Sequence, residues 1–104
     1  MELAMDASIG IWALGDCSAD VVVYRWKIGQ RSGFIAFEVP SQRIRPSDES
    51  GRPLGDLQFD AAVGEPEGSA DGVDIPLFIE VVVALMRVYR RAGAAPATAH
   101  AYYF

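Results

Sequence analysis

The segment Asp74–Gly93, DIPLFIEVVVALMRVYRRAG, decides the fold, because it has the sequence features of a helix from one end to the other. Asp74 can cap the first turn by accepting its free amide hydrogens, and Pro76 fits a turn whose amides lack intrahelical partners. Gly93 suits the left-handed position that ends many helices, and Pro96 prevents continuation. We therefore predict one helix bounded by these residues.

The surface of this helix is mostly apolar. Glu80, Arg87 and Arg91 form a narrow polar stripe at 3.6 residues per turn. The remaining apolar face is wider than one neighbouring helix would cover, so we expect it to pack on a sheet. The β-branched run Val81–Val83 lowers helix propensity, and a strand over Ile79–Leu85 is the competing interpretation by period alone.

Four segments read as strands. The clearest is Val21–Ile28, in which apolar residues alternate with residues that become basic toward its end. This alternation is typical of a strand with one buried face. The four segments are Ile9–Leu14, Val21–Ile28, Phe34–Val39 and Leu54–Val63. In the last of them, Leu57, Phe59, Ala61 and Val63 are predicted to point inward.

Proline and glycine mark the connections. Pro40 should interrupt the third strand, which can resume over Gln42–Arg45. Pro46–Pro53 is predicted to be a loop, and Gly64–Gly72 a mobile acidic loop that leads into the helix.

The register of the central hairpin can be narrowed by arithmetic. Residues directly opposite each other lie on the same face of a sheet. If the residue numbers of two opposed residues sum to 61 or 63, Trp26 lies opposite Ile35 or Phe37, and the apolar residues of both strands share one face. A sum of 62 would instead place apolar residues opposite polar ones. We expect a sum of 61 or 63.

These elements predict an α+β domain. Its sheet is an antiparallel four-stranded or five-stranded meander, with one C-terminal helix packed on one face. Residues 1–96 form the domain, and residues 97–104 are an aromatic tail or an extra strand. The helix and tail carry more apolar surface than a small sheet covers, so we also expect a homodimer.

Composition limits the location of the protein. Hydrophobic residues make up 51% of the 104-residue chain, so a folded domain is expected. Cys17 is the one cysteine, which fits a reducing compartment, and no signal peptide is recognisable. The longest apolar run is shorter than the roughly 20 residues of a membrane span. We expect a cytoplasmic protein, and the absence of Asn suggests a GC-rich bacterial or phage genome.

Charge is distributed unevenly along the chain. The net charge is −5, which argues against nonspecific nucleic-acid binding, because such binding depends on neutralising phosphates. Residues 48–74 carry eight acidic side chains and one arginine, a local charge of −7. An acidic surface of this kind can meet a basic protein partner.

No residue pattern indicates catalysis. His100 is the single histidine and lies among alanines, and Cys17 is flanked by Asp16 and Asp20 rather than by cations that would activate a thiol. We predict no catalytic residues, no metal site and no cofactor.

The function expected from these features is non-enzymatic protein binding, of the immunity, inhibitor or accessory-subunit type. The alternative is a small-molecule-binding or minor enzymatic domain with a pocket between sheet and helix. The expected partner is a basic protein, with no nucleic acid and no membrane. The residues predicted to bind the partner are Asp56, Asp60, Glu65, Glu67, Asp71, Tyr102, Tyr103 and Phe104.

Overall fold

A computed structural model describes residues 8–102 and shows an α+β fold with one helix on one face of an antiparallel sheet. The described part has seven strands, more than the four or five predicted, in the order β6-β5-β4-β3-β2-β1-β7. The elements in chain order are β1 (Ser8–Ala13), β2 (Val21–Ile28), β3 (Arg31–Glu38), β4 (Arg43–Ser47), β5 (Gln58–Asp60), β6 (Glu65–Glu67), α1 (Ile75–Ala92) and β7 (Thr98–Tyr102).

The helix begins and ends where the sequence predicts. The Asp74 carboxylate accepts a hydrogen bond from the Leu77 amide at 3.1 Å, which satisfies one of the free donors of the first turn. Gly93 has φ of 77° and donates its amide to Tyr89 O at 2.8 Å. The competing strand over 79–85 is therefore wrong, because local caps and packing outweigh the β-branched run.

One core lies between the helix and the sheet. Ile11, Tyr24 and Phe37 come from adjacent strands and point to the same face, which we call the inner face, where they pack with Val82 and Leu85 of α1. All five are almost completely buried. The helix thus covers the inner face as predicted.

The tyrosine in this core anchors the segment that follows the helix. The hydroxyl of Tyr24 donates to Pro96 O at 2.7 Å, and burial raises its pKa above the ordinary range, with a smaller contribution from Cys17. Because β7 begins at Thr98, this hydrogen bond fixes the chain at the point where it leaves α1 and returns to the sheet.

The β2–β3 hairpin is tighter than predicted. Val21 pairs with Glu38 and Ile28 with Arg31, so paired positions sum to 59 rather than 61 or 63. The apolar residues of both strands still share one face, because 59 is an odd sum like 61 and 63. The predicted sums of 61 and 63, which imply loops of four and six residues, were therefore wrong. Two residues close the turn, and Gly29 supplies the positive φ of 57° that a tight hairpin requires.

The chain after β3 departs most from the predictions. Pro46 and Ser47 belong to β4 and are buried, not part of a loop. The predicted long strand over 54–63 is reduced to β5, because a turn begins at Ala61 and leaves Val63 54% exposed. Leu57 is buried as expected. The predicted acidic loop over 64–72 contains β6, which pairs with β5.

The C-terminal segment forms an extra strand over its described part. β7 pairs antiparallel with β1, with Ile9 opposite Ala101 and Ile11 opposite Ala99. Tyr103 and Phe104 lie outside the described residues. No helix within residues 8–102 is long and apolar enough to cross a membrane.

Candidate binding surface

Three of the eight acids in residues 48–74 have structural roles. The first is Asp74, which caps α1 and also accepts a hydrogen bond from Arg31 at 2.8 Å. The Leu77 amide and the Arg31 guanidinium together hold the pKa of Asp74 below its usual value. This carboxylate is engaged inside the fold.

Asp48 organises the loop after β4. Its Oδ1 accepts hydrogen bonds from the Ser50 hydroxyl at 2.7 Å and from the amides of Ser50 and Arg52, each at 2.9 Å. The Ser50 hydroxyl is the largest cause of its lowered pKa, followed by the Arg52 amide. Such local hydrogen bonding is typical of aspartate in turns.

Asp60 lies on the outer face of the sheet, as predicted, but it is not an independent charge. Its Oδ2 lies 3.5 Å from Arg43 Nε on the neighbouring strand, and its Oδ1 accepts the Ala62 amide at 2.9 Å. Arg45 and Glu38 form a second pair, at 3.7 Å. Arg43 therefore neutralises part of the charge of residues 48–74 across the sheet, whereas Arg45 pairs with an acid of β3.

Four other acids are exposed at one corner of the molecule. Asp56, Glu65, Glu67 and Asp71, which we call the acidic corner, are exposed and lie on the edge strand β6 or in the segments that flank it. Among residues 8–102, no cationic nitrogen lies within 4 Å of any of these carboxylates. Four of the predicted partner-binding residues are therefore exposed at or near this edge of the sheet.

The backbone beneath the acidic corner is closely packed. The Asp56 amide donates to Ser69 O at 2.9 Å, which joins the segment before β5 to the segment after β6. Gly55 and Gly68 have φ of 81° and 82°, and a Cβ at either position would collide with the opposing backbone. At Gly55 this Cβ would lie 2.8 Å from Ser69 O. The segment predicted to be a loop therefore contains a paired strand and close backbone contacts with the residues before β5.

The predicted aromatic binding residues are not part of this corner. Tyr102 ends β7, and β7 and β6 are the two opposite edges of the sheet. Tyr103 and Phe104 lie outside the described residues. The structure therefore separates Tyr102 from the acidic corner.

Two depressions lie between helix and sheet. The larger, about 390 Å³, is an apolar groove beside β5. It is lined by Phe59, Val82, Val83, Met86, Arg87 and Arg90. The smaller, about 130 Å³, lies at the N-terminal end of α1 and includes Asp74, Trp26 and Leu77. The larger groove has arginines but no carboxylate in its lining, so it lacks a general acid or base of the usual kind.

One surface feature was not predicted from the sequence. Trp12 lies on the outer face, 37% exposed, with its ring over Gly10 and the His100 ring edge-on to it at 6.1 Å between centroids. These residues and Lys27 line a shallow cleft of about 280 Å³. The alternation of Ile9, Ile11 and Ala13 inward would have placed Trp12 outward had it been applied to β1.

Cys17 and its acidic neighbour are both hydrogen-bonded within the fold. The half-buried Cys17 thiol donates to Pro96 O at 3.6 Å, and its acidic neighbour Asp16 is engaged by Ser18. Within residues 8–102, no group of three or more His, Cys, Asp or Glu side chains converges as a metal site would require.

The fold and surface define a small two-layer α+β protein with a charged edge. Comparison with protein families, with curated proteins and with solved structures gives no match to this chain.

Proposed function

We propose that this protein is a non-enzymatic binding module, of the immunity, inhibitor or accessory-subunit type, whose acidic corner contacts a basic protein in the cytoplasm. The observation that carries the proposal is the division of seven of the eight acids in residues 48–74. The eighth, Glu49, is exposed elsewhere, beside Leu14 and Val21. Asp48, Asp60 and Asp74 cap turns or form ion pairs, whereas the four carboxylates of the corner have no such role among the described residues.

Electrostatics explains why such a corner suits a partner. Like charges held close together repel, and this repulsion costs stability unless an opposite charge approaches. The contacts of Gly55 and Gly68 keep the carboxylates on a fixed backbone, so less conformational entropy is lost on binding. A basic surface would gain rapid, charge-steered association from this arrangement.

The edge strand indicates how the partner would bind. Pro66 occupies the centre of β6 and has no amide hydrogen, and Glu65 and Glu67 flank it. Proline and charge are devices that prevent a foreign strand from pairing with a sheet edge. The partner would therefore use Lys and Arg side chains on the carboxylates rather than add a strand at β6.

A matched pull-down from the native host tests this proposal. The bait proteins are the wild type, the double variant Glu65→Lys/Glu67→Lys, and a control, Asp20→Lys/Glu80→Lys, with the same change in net charge at exposed positions elsewhere. We expect the wild type and the control to capture the same basic protein, and the corner variant to lose it. Equal capture by all three would refute the acidic corner as the interface.

The groove beside β5 favours a second candidate function, small-molecule binding. Its apolar floor and its two arginines, Arg87 and Arg90, suit a ligand with an apolar body and an anionic group. Titration with a medium-chain fatty acid, followed by NMR, would shift Val82 and Met86 signals in this case. Unchanged signals at millimolar ligand would exclude this class of ligand.

A further inference from the structure

The edge strand β7 has an unpaired side within the described residues, where it pairs only with β1. The Ala13 amide donates to Ala97 O at 2.9 Å, which identifies that pair as hydrogen-bonded. Hydrogen-bonded and non-hydrogen-bonded pairs alternate along an antiparallel ladder. The amides and carbonyls of Thr98, His100 and Tyr102 therefore point away from β1, toward the open side.

The two edges of the sheet are protected differently. At β6, Pro66 and two glutamates discourage pairing with another strand. The sequence of β7 is TAHAY, with no proline and no carboxylate. Ala99 and Ala101 are buried on the inner face, and His100 is exposed on the outer face. β7 therefore has the features of a strand that pairs.

We propose that β7 pairs antiparallel with β7 of a second copy of this chain, about a two-fold axis at His100. In this register Thr98 lies opposite Tyr102 of the other copy, and His100 lies opposite His100. The amides and carbonyls of Thr98, His100 and Tyr102 all point away from β1. In this register each of these amides therefore faces a carbonyl of the other copy, and each carbonyl faces an amide. The two sheets become one continuous sheet of 14 strands.

Two observations favour a second copy over a foreign strand. An isologous contact closes on itself and leaves only the two β6 edges, both blocked by Pro66, at the ends of the sheet. The acidic corner lies six strand spacings, about 29 Å, from β7, so the like charges of the two copies stay far apart.

The proposed interface is small. A five-residue strand pair buries an area at the low end of specific interfaces, so the dimer should form with increasing concentration rather than persist at high dilution. The sequence predicted a dimer from the surplus apolar surface of the helix, but the seven-stranded sheet covers more of α1 than a four-stranded sheet would. The reason to expect a dimer is now the open edge of β7.

Light scattering over a concentration series tests the proposal. The wild type should rise from 11.3 kDa toward twice that mass. His100→Pro removes one outward amide hydrogen without breaking a β1–β7 hydrogen bond, so it should remain monomeric, whereas His100→Val keeps the amide and should dimerise. A wild type that stays at 11.3 kDa at millimolar concentration, or a His100→Pro variant that dimerises like the wild type, would overturn the proposal.

Amide hydrogen exchange of the wild type gives a test that needs no variant. The Ala99 amide, which points toward β1, should be protected at every concentration. The His100 amide, which points outward, should exchange rapidly in dilute protein and slow by at least about tenfold as the mass rises. A His100 amide whose exchange rate does not change with concentration would overturn the proposal, whether that rate is fast or slow.

Discussion

Arg31 and Asp74 meet at 2.8 Å, which joins the turn of the β2–β3 hairpin to the first turn of the helix. The same carboxylate caps α1 through the Leu77 amide, so one side chain contacts both the first turn of the helix and the hairpin. The two contacts lower the pKa of Asp74.

This arrangement predicts acid sensitivity. A folded-state pKa below the unfolded value means that Asp74 stabilises the fold above its unfolded pKa of about 3.9, and that this contribution is lost as the pH falls through the folded value. Asp74→Asn should lower the melting temperature at pH 7, and the difference from wild type should shrink as the pH falls below 4. Thermal melts from pH 7 to pH 2 measure this, and a difference independent of pH would contradict it.

The core predicts a strong effect at Leu85. This side chain is fully buried between helix and sheet, so Leu85→Ala should cost about 2–5 kcal/mol of unfolding free energy. Leu85→Asp should unfold the domain, because it places an unpaired charge in the core. Val83→Asp is the matched control, since Val83 lies on the same helix and is 41% exposed. Circular dichroism melts in which all three variants behave alike would contradict the packing.

The framework of the acidic corner can be tested with two glycines. Gly64 and Gly68 have φ of 85° and 82°, so alanine at either costs roughly 1–2 kcal/mol of backbone strain. Only at Gly68 would the new Cβ also collide with the Asp56 carbonyl, since nothing lies within 4 Å at Gly64. Urea denaturation should show Gly68→Ala to be the less stable of the two. Equal stability of the two variants would mean that the segments around Asp56 and Gly68 are not in close contact.

Tyr24 predicts a loss of stability in alkali. Burial raises its pKa in the folded state, so its stabilising effect is complete below the unfolded pKa of 10.0 and is lost as the pH rises above it. Tyr24→Phe removes the closer of the two donors to Pro96 O, leaving the Cys17 thiol at 3.6 Å, and should cost about 0.5–1.5 kcal/mol at neutral pH. Its stability should then fall less steeply than that of wild type between pH 9 and pH 11, which denaturant titrations can measure. Parallel curves would contradict this role.

The elements that the sequence predicted well are those set by neighbouring residues. The helix depends on Asp74 and Gly93 at its ends, and β2 on an alternation that continues for eight residues. The same alternation predicts which residues of the β2–β3 hairpin share a face. It does not predict the loop length, because a two-residue turn depends on the conformation of Gly29.

The elements that the sequence predicted poorly depend on distant contacts. β6 has only three residues, Glu65–Glu67, and exists through its pairing with β5. The structural use of Asp60 also follows from a neighbouring strand, which brings Arg43 within 3.5 Å. Counting charges along the chain could find the acidic segment, but it could not distinguish the acids that hold the fold together from those that remain exposed.

If the acidic corner steers a basic partner, the rate of association must depend on the charge of that corner. With the captured partner purified, stopped-flow mixing at low salt should show Glu65→Lys/Glu67→Lys to associate at least about tenfold more slowly than wild type. The control Asp20→Lys/Glu80→Lys should stay within about a factor of two, and the wild-type rate should fall as added salt screens exposed charges beyond about 8 Å. Equal rates for the corner variant and the control, unaffected by salt, would contradict the account.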